Sequence, residues 1–202
     1  MSQLEWAARV SHHAYTNLGG ADYGVRWLEL YELADEPQGA AGEFADLFPY
    51  TEDLEPGRHP FGAFYARRSV TMRIEPAILL RRLVQDFQMA GGTFVVRNFA
   101  NLSEVLALRE STIFNCTGLG AAALFGDAEL TPAKGQLVFL PPDPAVDYMT
   151  IGGGKGLLYM FPRTDVVLLD GTFKLGGYSM QPEPDETERI VTEHQRLFSR
   201  FG

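Results

Sequence analysis

A single cysteine, Cys116, stands among 202 residues. That excludes an intramolecular disulfide framework and points to a reducing compartment, the cytoplasm. Basic residues are also scarce: 17 Lys and Arg against 26 Asp and Glu leave a formal charge of −9. A global field of that sign disfavours nucleic acid and anionic membranes as partners. No apolar run approaches the roughly 18 residues of a membrane span. Met1 to Trp6 carry neither the basic region nor the apolar core of a signal peptide. His12, His13, His59 and His194 share no ligand spacing with carboxylates, so no metal site is expected.

What is present belongs to a folded globular chain, 46% apolar and 12% aromatic with 21% charged. The length suffices for one well-buried core. Ser2 and Glu5 suit a capping box, and Leu4, Ala7, Ala8, Ser11, Ala14, Tyr15 and Leu18 recur at helical spacing up to Gly19-Gly20. Val25 to Tyr31 reads as a strand. Glu36 to Phe61, rich in Pro and Gly, reads as loop with a short helix at Gly42 to Leu47. Phe64 to Arg73 alternates as a strand whose Arg67 and Arg68 fit a solvated face better than an anion site. Glu75-Pro76 starts a helix with Leu79 or Leu80, Leu83, Val84 and Phe87 as its core face.

Gly91-Gly92 ends that helix, and Thr93 to Arg97 reads as a short strand. A helical turn is expected between Asn101 and Glu104. Thr112-Ile113-Phe114 then reads as a strand running into Asn115-Cys116-Thr117-Gly118-Leu119-Gly120, with Gly135 to Leu140 as the next strand. The alternation is α/β in character. Farther on, Leu157 to Phe161 and Val166 to Asp170 form an antiparallel hairpin about a turn at Pro162 to Asp165, continued by Gly171-Thr172-Phe173. Asp185 is placed to cap a last helix bearing Ile190, Val191, His194, Leu197 and Phe201 on one side.

Gly118-x-Gly120-x-x-Ala123 matches the dinucleotide fingerprint, but alone the match is weak. Only about five helical residues precede Gly126, too few for a parallel crossover. No acidic residue ends the next strand, since Asp143 lies past Pro141-Pro142. Gly152-Gly153-Gly154-Lys155-Gly156 lacks P-loop spacing, with Gly156 where Ser or Thr must bind magnesium. A loop between strands is the better reading. Cys116 reads as a small core residue at a strand end, and Tyr159 as a core or edge aromatic facing away from Met160.

The ordered set Asn115-Cys116-Thr117-Gly118, Gly135-Gln136, Tyr159-x-x-Pro162 and Gly171-x-Phe173-x-Leu175-Gly176 resembles the FAD-dependent D-amino acid oxidase family. The Pro76 to Ala90 helix and the Phe94-Val95-Val96 strand fall in the same order, and the first 60 residues match more loosely. The resemblance implies a mixed α/β fold: a partial FAD-binding sheet plus an antiparallel or mixed-sheet substrate domain. Residues 1–110 would mix the two portions, 111–134 would be the strand-turn-helix of the FAD-binding domain, and 135–202 the substrate-binding portion with the terminal helix. It implies hydride transfer from the α-carbon of a D-amino acid to FAD, giving an imino acid, then a 2-oxo acid and ammonia, with peroxide from flavin reoxidation. Tyr159 falls where a tyrosine hydroxyl bonds the substrate carboxylate. Cys116, Thr117 and Gly118 fall in the turn lining FAD, and Phe99 where a backbone group touches the adenosine part.

Three departures qualify the expectation. The family's strand–Gly-x-Gly-x-x-Gly–helix unit for the FAD pyrophosphate has no counterpart here, nor do the later carboxylate-binding arginine and glycine-rich turn over the flavin. Lys155 stands where the family has a second tyrosine, and a lysine point charge is a poorer geometric match to a carboxylate. The chain alone is therefore expected to be inactive, with self-association or a complementing chain covering its exposed edges. The alternatives are a non-catalytic binding or assembly domain, or a related glycine or sarcosine oxidase.

Overall fold

The computed structural model describes residues 2–40, 42–127 and 129–199. It opens on α1 (Gln3–Leu18), whose first turn is capped as expected, the Ser2 hydroxyl accepting from the Glu5 amide at 3.0 Å. Branched and aromatic residues then form β1 (Val25–Ala34), three residues longer than the pattern required. After a 3₁₀ turn at Ala45–Leu47 come β2 (Thr51–Leu54) and β3 (Tyr65–Ile74). Next are α2 (Pro76–Met89), α3 (Leu102–Leu106) and α4 (Ala121–Phe125). The chain continues through β4 (Ala133–Lys134), β5 (Leu137–Leu140), β6 (Tyr148–Gly152), β7 (Tyr159–Pro162), β8 (Val167–Asp170) and β9 (Lys174–Leu175). It closes on α5 (Pro184–Phe198).

Seven strands make one mixed sheet in the order β2-β3-β1-β6-β7-β8-β5, and β4 with β9 makes a separate ribbon. Among the described residues only β1 and β6 run parallel, and the other ladders are antiparallel. The expected mixed α/β class is what forms, and the single sheet draws on both halves of the chain. At the end of β6 the chain must turn against β1. Gly152, at φ +88°, makes that turn, because a Cβ there would lie 2.3 Å from the Leu33 carbonyl oxygen.

Strand alternation sends Met160, Val167 and Leu169 to the face covered by α5, where they meet Ile190, and Leu33 with Phe61, Ala63 and Ala66 packs against Leu197. Ile190, Leu197 and Leu158 are fully buried. Tyr31, Phe61 and Tyr148 add edge-to-face and tilted ring contacts at 5.0 to 5.9 Å. At the other end of the sheet lies a buried ion pair. Arg73 donates to Glu75 and to the Pro162 carbonyl, and Glu75 accepts from the Thr164 amide at 3.1 Å and its hydroxyl at 2.7 Å. The pair ties β3 to the β7–β8 turn. Burial lowers the Arg73 pKa. Glu75 is also desolvated, but its Thr164 hydrogen bonds and the Arg73 charge outweigh that and hold its pKa low.

Several local expectations are corrected. Thr93 to Arg97 and Thr112 to Phe114 are not strands, because no ladder partner lies beside either among the described residues. The expected core face of α2 points outward, with Leu80, Leu83, Val84 and Phe87 all at least 40% exposed; only Leu79 is buried. The polar side of this helix is the anchored one: the Tyr23 hydroxyl donates to Asp86 at 2.6 Å, and Arg82 lies over the Tyr23 ring. The Gly42 to Leu47 helix shrinks to one 3₁₀ turn. Glu183, not Asp185, is the cap residue of α5, since Pro184 supplies the preset φ of a first helical residue. Phe173 does not extend the hairpin, because the chain leaves β8 at Gly171 to pair β9 with β4. Phe201 lies outside the described residues.

Candidate functional site

The β7–β8 ladder sets Tyr159 directly opposite Asp170 on the face away from α5. There the Tyr159 hydroxyl donates to Asp170 Oδ2. Asp170 Oδ1 accepts from the Gly171 amide, the Thr172 amide at 2.8 Å and the Thr172 hydroxyl at 3.2 Å. Burial first, and then the Asp170 hydrogen bond and charge, push the Tyr159 pKa up, so the phenol keeps its proton through the neutral range. Its ring stacks on Phe161 at 4.8 Å.

Two further residues hold this pair in place. His194, on α5, has Nε2 3.2 Å from the Tyr159 carbonyl oxygen and Nδ1 2.7 Å from that of Ile190. Burial lowers the His194 pKa. Gln136, also buried, donates its amide N–H to the Thr172 hydroxyl and its side-chain N–H groups to the Glu183 carbonyl at 2.9 Å and the Thr187 hydroxyl at 2.7 Å. Its Oε1 accepts from the Glu183 amide at 2.7 Å. The approach to β5 is thus locked to the start of α5, and through Thr172 to Asp170.

Beside Gly171 runs a groove of about 340 Å³, with Lys155, Phe173, Lys174, Glu186 and Arg189 on its walls. Arg189 is taken up by structure: it donates to the carbonyls of Lys155 at 3.0 Å and Gly171 at 2.6 Å, and to Glu186. Lys174 pairs with Glu183 and Glu186. The Lys155 side chain is exposed and has no hydrogen bond or ion pair among the described residues. A larger apolar cavity, about 470 Å³, lies under α5 and is lined by Met160, Val167 and His194, on the face opposite the Tyr159 ring.

The second candidate cluster is the Asn115 to Gly120 turn. Asn115 Oδ1 accepts from the Thr117 amide at 3.1 Å and its hydroxyl at 2.7 Å, and Gly118 to Gly120 then wind a 3₁₀ turn into α4. Gly118 has φ +54° and open space where a Cβ would stand. Cys116 is exposed; the core position expected of it requires the strand that does not form. Phe99, half-buried, lies under the Arg97 guanidinium at 4.8 Å. No hydrogen bond, ion pair or ring contact joins Cys116, Thr117, Gly118 or Phe99 to Tyr159 or Lys155 among the described residues. The open space at Gly118 leaves its backbone accessible from outside. A pyrophosphate does not fit, since the helix that starts there, Ala121–Phe125, is too short to present a pyrophosphate-binding N-terminus. Among the described residues, no cluster of His, Cys, Asp and Glu is arranged to hold a metal.

Asp170 and Gln136 do not stand out in the sequence as site residues. A turn at Pro162 to Asp165 would shift the hairpin register, whereas the Arg163 amide bonds the Val166 carbonyl at 2.7 Å and brings Tyr159 against Asp170. A carboxylate ending a strand of otherwise apolar residues was the available signal.

Comparison with known proteins gives the family and the fold. Residues 5–202 match the DAO family, described as FAD dependent oxidoreductase. The chain is 29% identical over 180 residues to a D-amino acid oxidase of Dugesia ryukyuensis, covering 87% of this chain and 53% of that protein. It is 26% identical over 198 residues to human D-aspartate oxidase, covering 95% and 57%. With a D-amino-acid oxidase of Rubrobacter xylanophilus the identity is 29% over 209 residues, covering 94% and 64%. The chain thus spans between 53% and 64% of the length of these relatives. The fold resembles glycine oxidase from Geobacillus kaustophilus, with TM-score 0.71 at 15% identity, covering 98% of this chain and 63% of that one.

Proposed function

Because the chain belongs to the DAO family of FAD dependent oxidoreductases, we propose that it forms the substrate-binding part of a flavoenzyme that oxidatively deaminates D-amino acids. The observation that carries this reading is the match of residues 5–202 to that family, supported by the half-buried Tyr159 phenol fixed by the buried Asp170 carboxylate and, separately, by the exposed Lys155 in the groove at Gly171. Bound FAD would supply the hydride acceptor, and this chain's part is to bind and orient the amine-bearing carbon. Tyr159 and Lys155 bind the substrate, and the Cys116-Thr117-Gly118 turn with Phe99 borders the flavin.

On this reading 111–134 belongs to the flavin-binding portion and 135–202 to the substrate portion, with 1–110 contributing to both. The FAD pyrophosphate is held by a glycine-fingerprint unit outside the described residues, on a complementing polypeptide or segment. The exposed apolar side chains of Val96 and Phe114 support a covering partner, whether that unit or a second copy. A reducing, cytoplasmic setting suits the exposed thiol of Cys116. No helix among the described residues is long and apolar enough to cross a membrane.

The test is to co-express the chain with a polypeptide carrying a strand–Gly-x-Gly-x-x-Gly–helix unit and to follow flavin absorbance and peroxide release. A yellow complex reduced by D- but not L-amino acids is expected. A complex holding stoichiometric FAD that no D-amino acid reduces would overturn the proposal. The 202-residue chain by itself is expected to bind FAD only weakly, and a stoichiometric yellow protein from it alone would remove the need for a second unit.

A further inference from the structure

Over β2, β3 and β1, at one end of the sheet, lies a pocket of about 230 Å³ roofed by the loop that carries Phe44 and Phe48. Strand pairing sets Thr51 opposite Ser69 and Arg67 opposite Glu32, so these four side chains share the face beneath the roof. The roof is braced within itself, the Ala45 and Phe48 amides donating to the carbonyls of Gly42 at 3.0 Å and Ala45 at 3.2 Å. Arg9 of α1 ties it down, its guanidinium donating to the two Asp46 oxygens at 2.6 and 3.2 Å. The pocket is therefore bounded by anchored walls.

Its polar groups are unevenly matched. Ser69 lines it at 2% exposure, and the Ser69 hydroxyl is buried with no hydrogen-bond partner among the described residues. A buried hydroxyl left unpaired costs free energy that a bound partner recovers. Glu32 is half-buried, and neither its carboxylate nor that of Glu43 has a hydrogen bond or ion-pair contact among the described residues. Arg67, also on the wall, is taken up: it donates to the two Asp53 oxygens at 2.6 and 3.1 Å and to the Gly39 carbonyl at 2.7 Å, and Glu32 acts on it only through its charge. With Arg67 balanced by Asp53, the carboxylates of Glu32 and Glu43 make the pocket negative. Phe44 and Phe48 add aromatic surface, which also favours a cation. Among the described residues no carboxylate cluster is arranged for a metal, so the cation is organic. We propose that this pocket binds a primary ammonium on a short carbon chain, with Glu32 and Glu43 as its charge partners and the Ser69 hydroxyl as an acceptor. Three acceptors match the three N–H groups of an ammonium. The volume, below the roughly 300 Å³ at which drug-sized pockets begin, limits the chain to a few carbons. Strand register carries Glu32 through Ile151 to Tyr159, so the pocket shares the Tyr159 face but lies two strands, roughly 10 Å, away. It is a second site, independent of the oxidase reading.

Butylamine, with butanoate as its charge-reversed match, is the probe. Each is titrated into the isotope-labelled 202-residue chain at neutral pH and constant ionic strength while backbone amides are followed by NMR. Butylamine should shift the amides of 42–48 and 67–69 saturably and bind about tenfold tighter than butanoate, the scale of one close charge contact near a protein surface. Glu32→Gln, which keeps the shape and removes the charge, should weaken butylamine by about the same factor. Should that variant not fold, Glu43→Gln, at an exposed loop position, should still weaken it severalfold. Ser69→Ala should weaken it about threefold without loss of stability, because the hydroxyl removed had no partner. Equal or tighter butanoate binding would overturn the proposal. So would the absence of a saturable shift at 42–48 and 67–69 with butylamine in large excess, or an affinity unchanged in the folded Glu32 and Glu43 variants. The titration needs no flavin, so its failure leaves the oxidase reading as it stands.

Discussion

The seam between α5 and the sheet and the segment from Thr93 to Phe114 are built from the same kinds of residue with opposite outcomes. Ile190 and Leu197 are 0% exposed in the seam, whereas Val96 is 104% and Phe114 86% exposed in the segment. Hydrophobicity does not separate them. What separates them is whether the backbone finds a ladder partner: all four residues of β8 are buried between β7 and β5, and 93–97 lies beside no strand. Apolar, branched sequence favours a strand, but the neighbour decides whether it forms.

The contrast can be broken hardest at the buried ion pair. Glu75→Ala strands Arg73 in the interior and should cost about 3–5 kcal/mol in urea unfolding, since one partner of a buried pair is removed. A loss under about 1 kcal/mol would show that water reaches Arg73. Leu197→Ala empties a fully enclosed site and should cost about 2–5 kcal/mol by the same measurement.

Acid should act on the seam as well. Burial lowers the folded pKa of His194, so the unfolded chain takes up a proton first as pH falls through the ordinary value of 6.5, and stability declines from there. Glu75, with its folded pKa also held low, contributes stability above its ordinary value of 4.5 that disappears as pH falls through the folded value. Stability measured against pH should therefore fall in two stages, and His194→Gln should flatten the first. A curve level from pH 7 to 5 would contradict the assignment to His194.

Asn101→Ala removes the side-chain cap of α3, where Asn101 Oδ1 accepts from the Glu104 amide at 3.2 Å, and should cost roughly 1 kcal/mol at most because this helix is exposed and short. At the bottom of the scale, Val96→Ala should change stability by less than about 0.5 kcal/mol. A larger loss would mean that Val96 is packed.

Where the sequence carried its own stop signals, the fold was legible. Ser2, Pro76 and the Gly91-Gly92 pair bounded helices correctly, and the Tyr159 and Val167 runs paired as a hairpin. The 93–97 and 112–114 readings failed because periodicity measures a residue's preference and says nothing about a neighbouring strand. The α2 face failed for a related reason: an apolar stripe identifies a surface to be covered, while Tyr23 happened to anchor the polar side through Arg82 and Asp86. At the candidate site, Tyr159 was singled out through family resemblance alone, and its Asp170 partner depended on a hairpin register one turn residue away from the expected one.

Hydrogen exchange of the 202-residue chain, resolved by residue, tests most directly whether the Tyr159 sheet stands by itself while the exposed apolar segment from Thr93 to Thr117 waits for a covering partner. Amides of β1, β7 and β8 should exchange only through global unfolding, and those of 93–97 and 112–117 at nearly unprotected rates. Protection in 93–97 or 112–117 equal to that of β7 and β8 would contradict it.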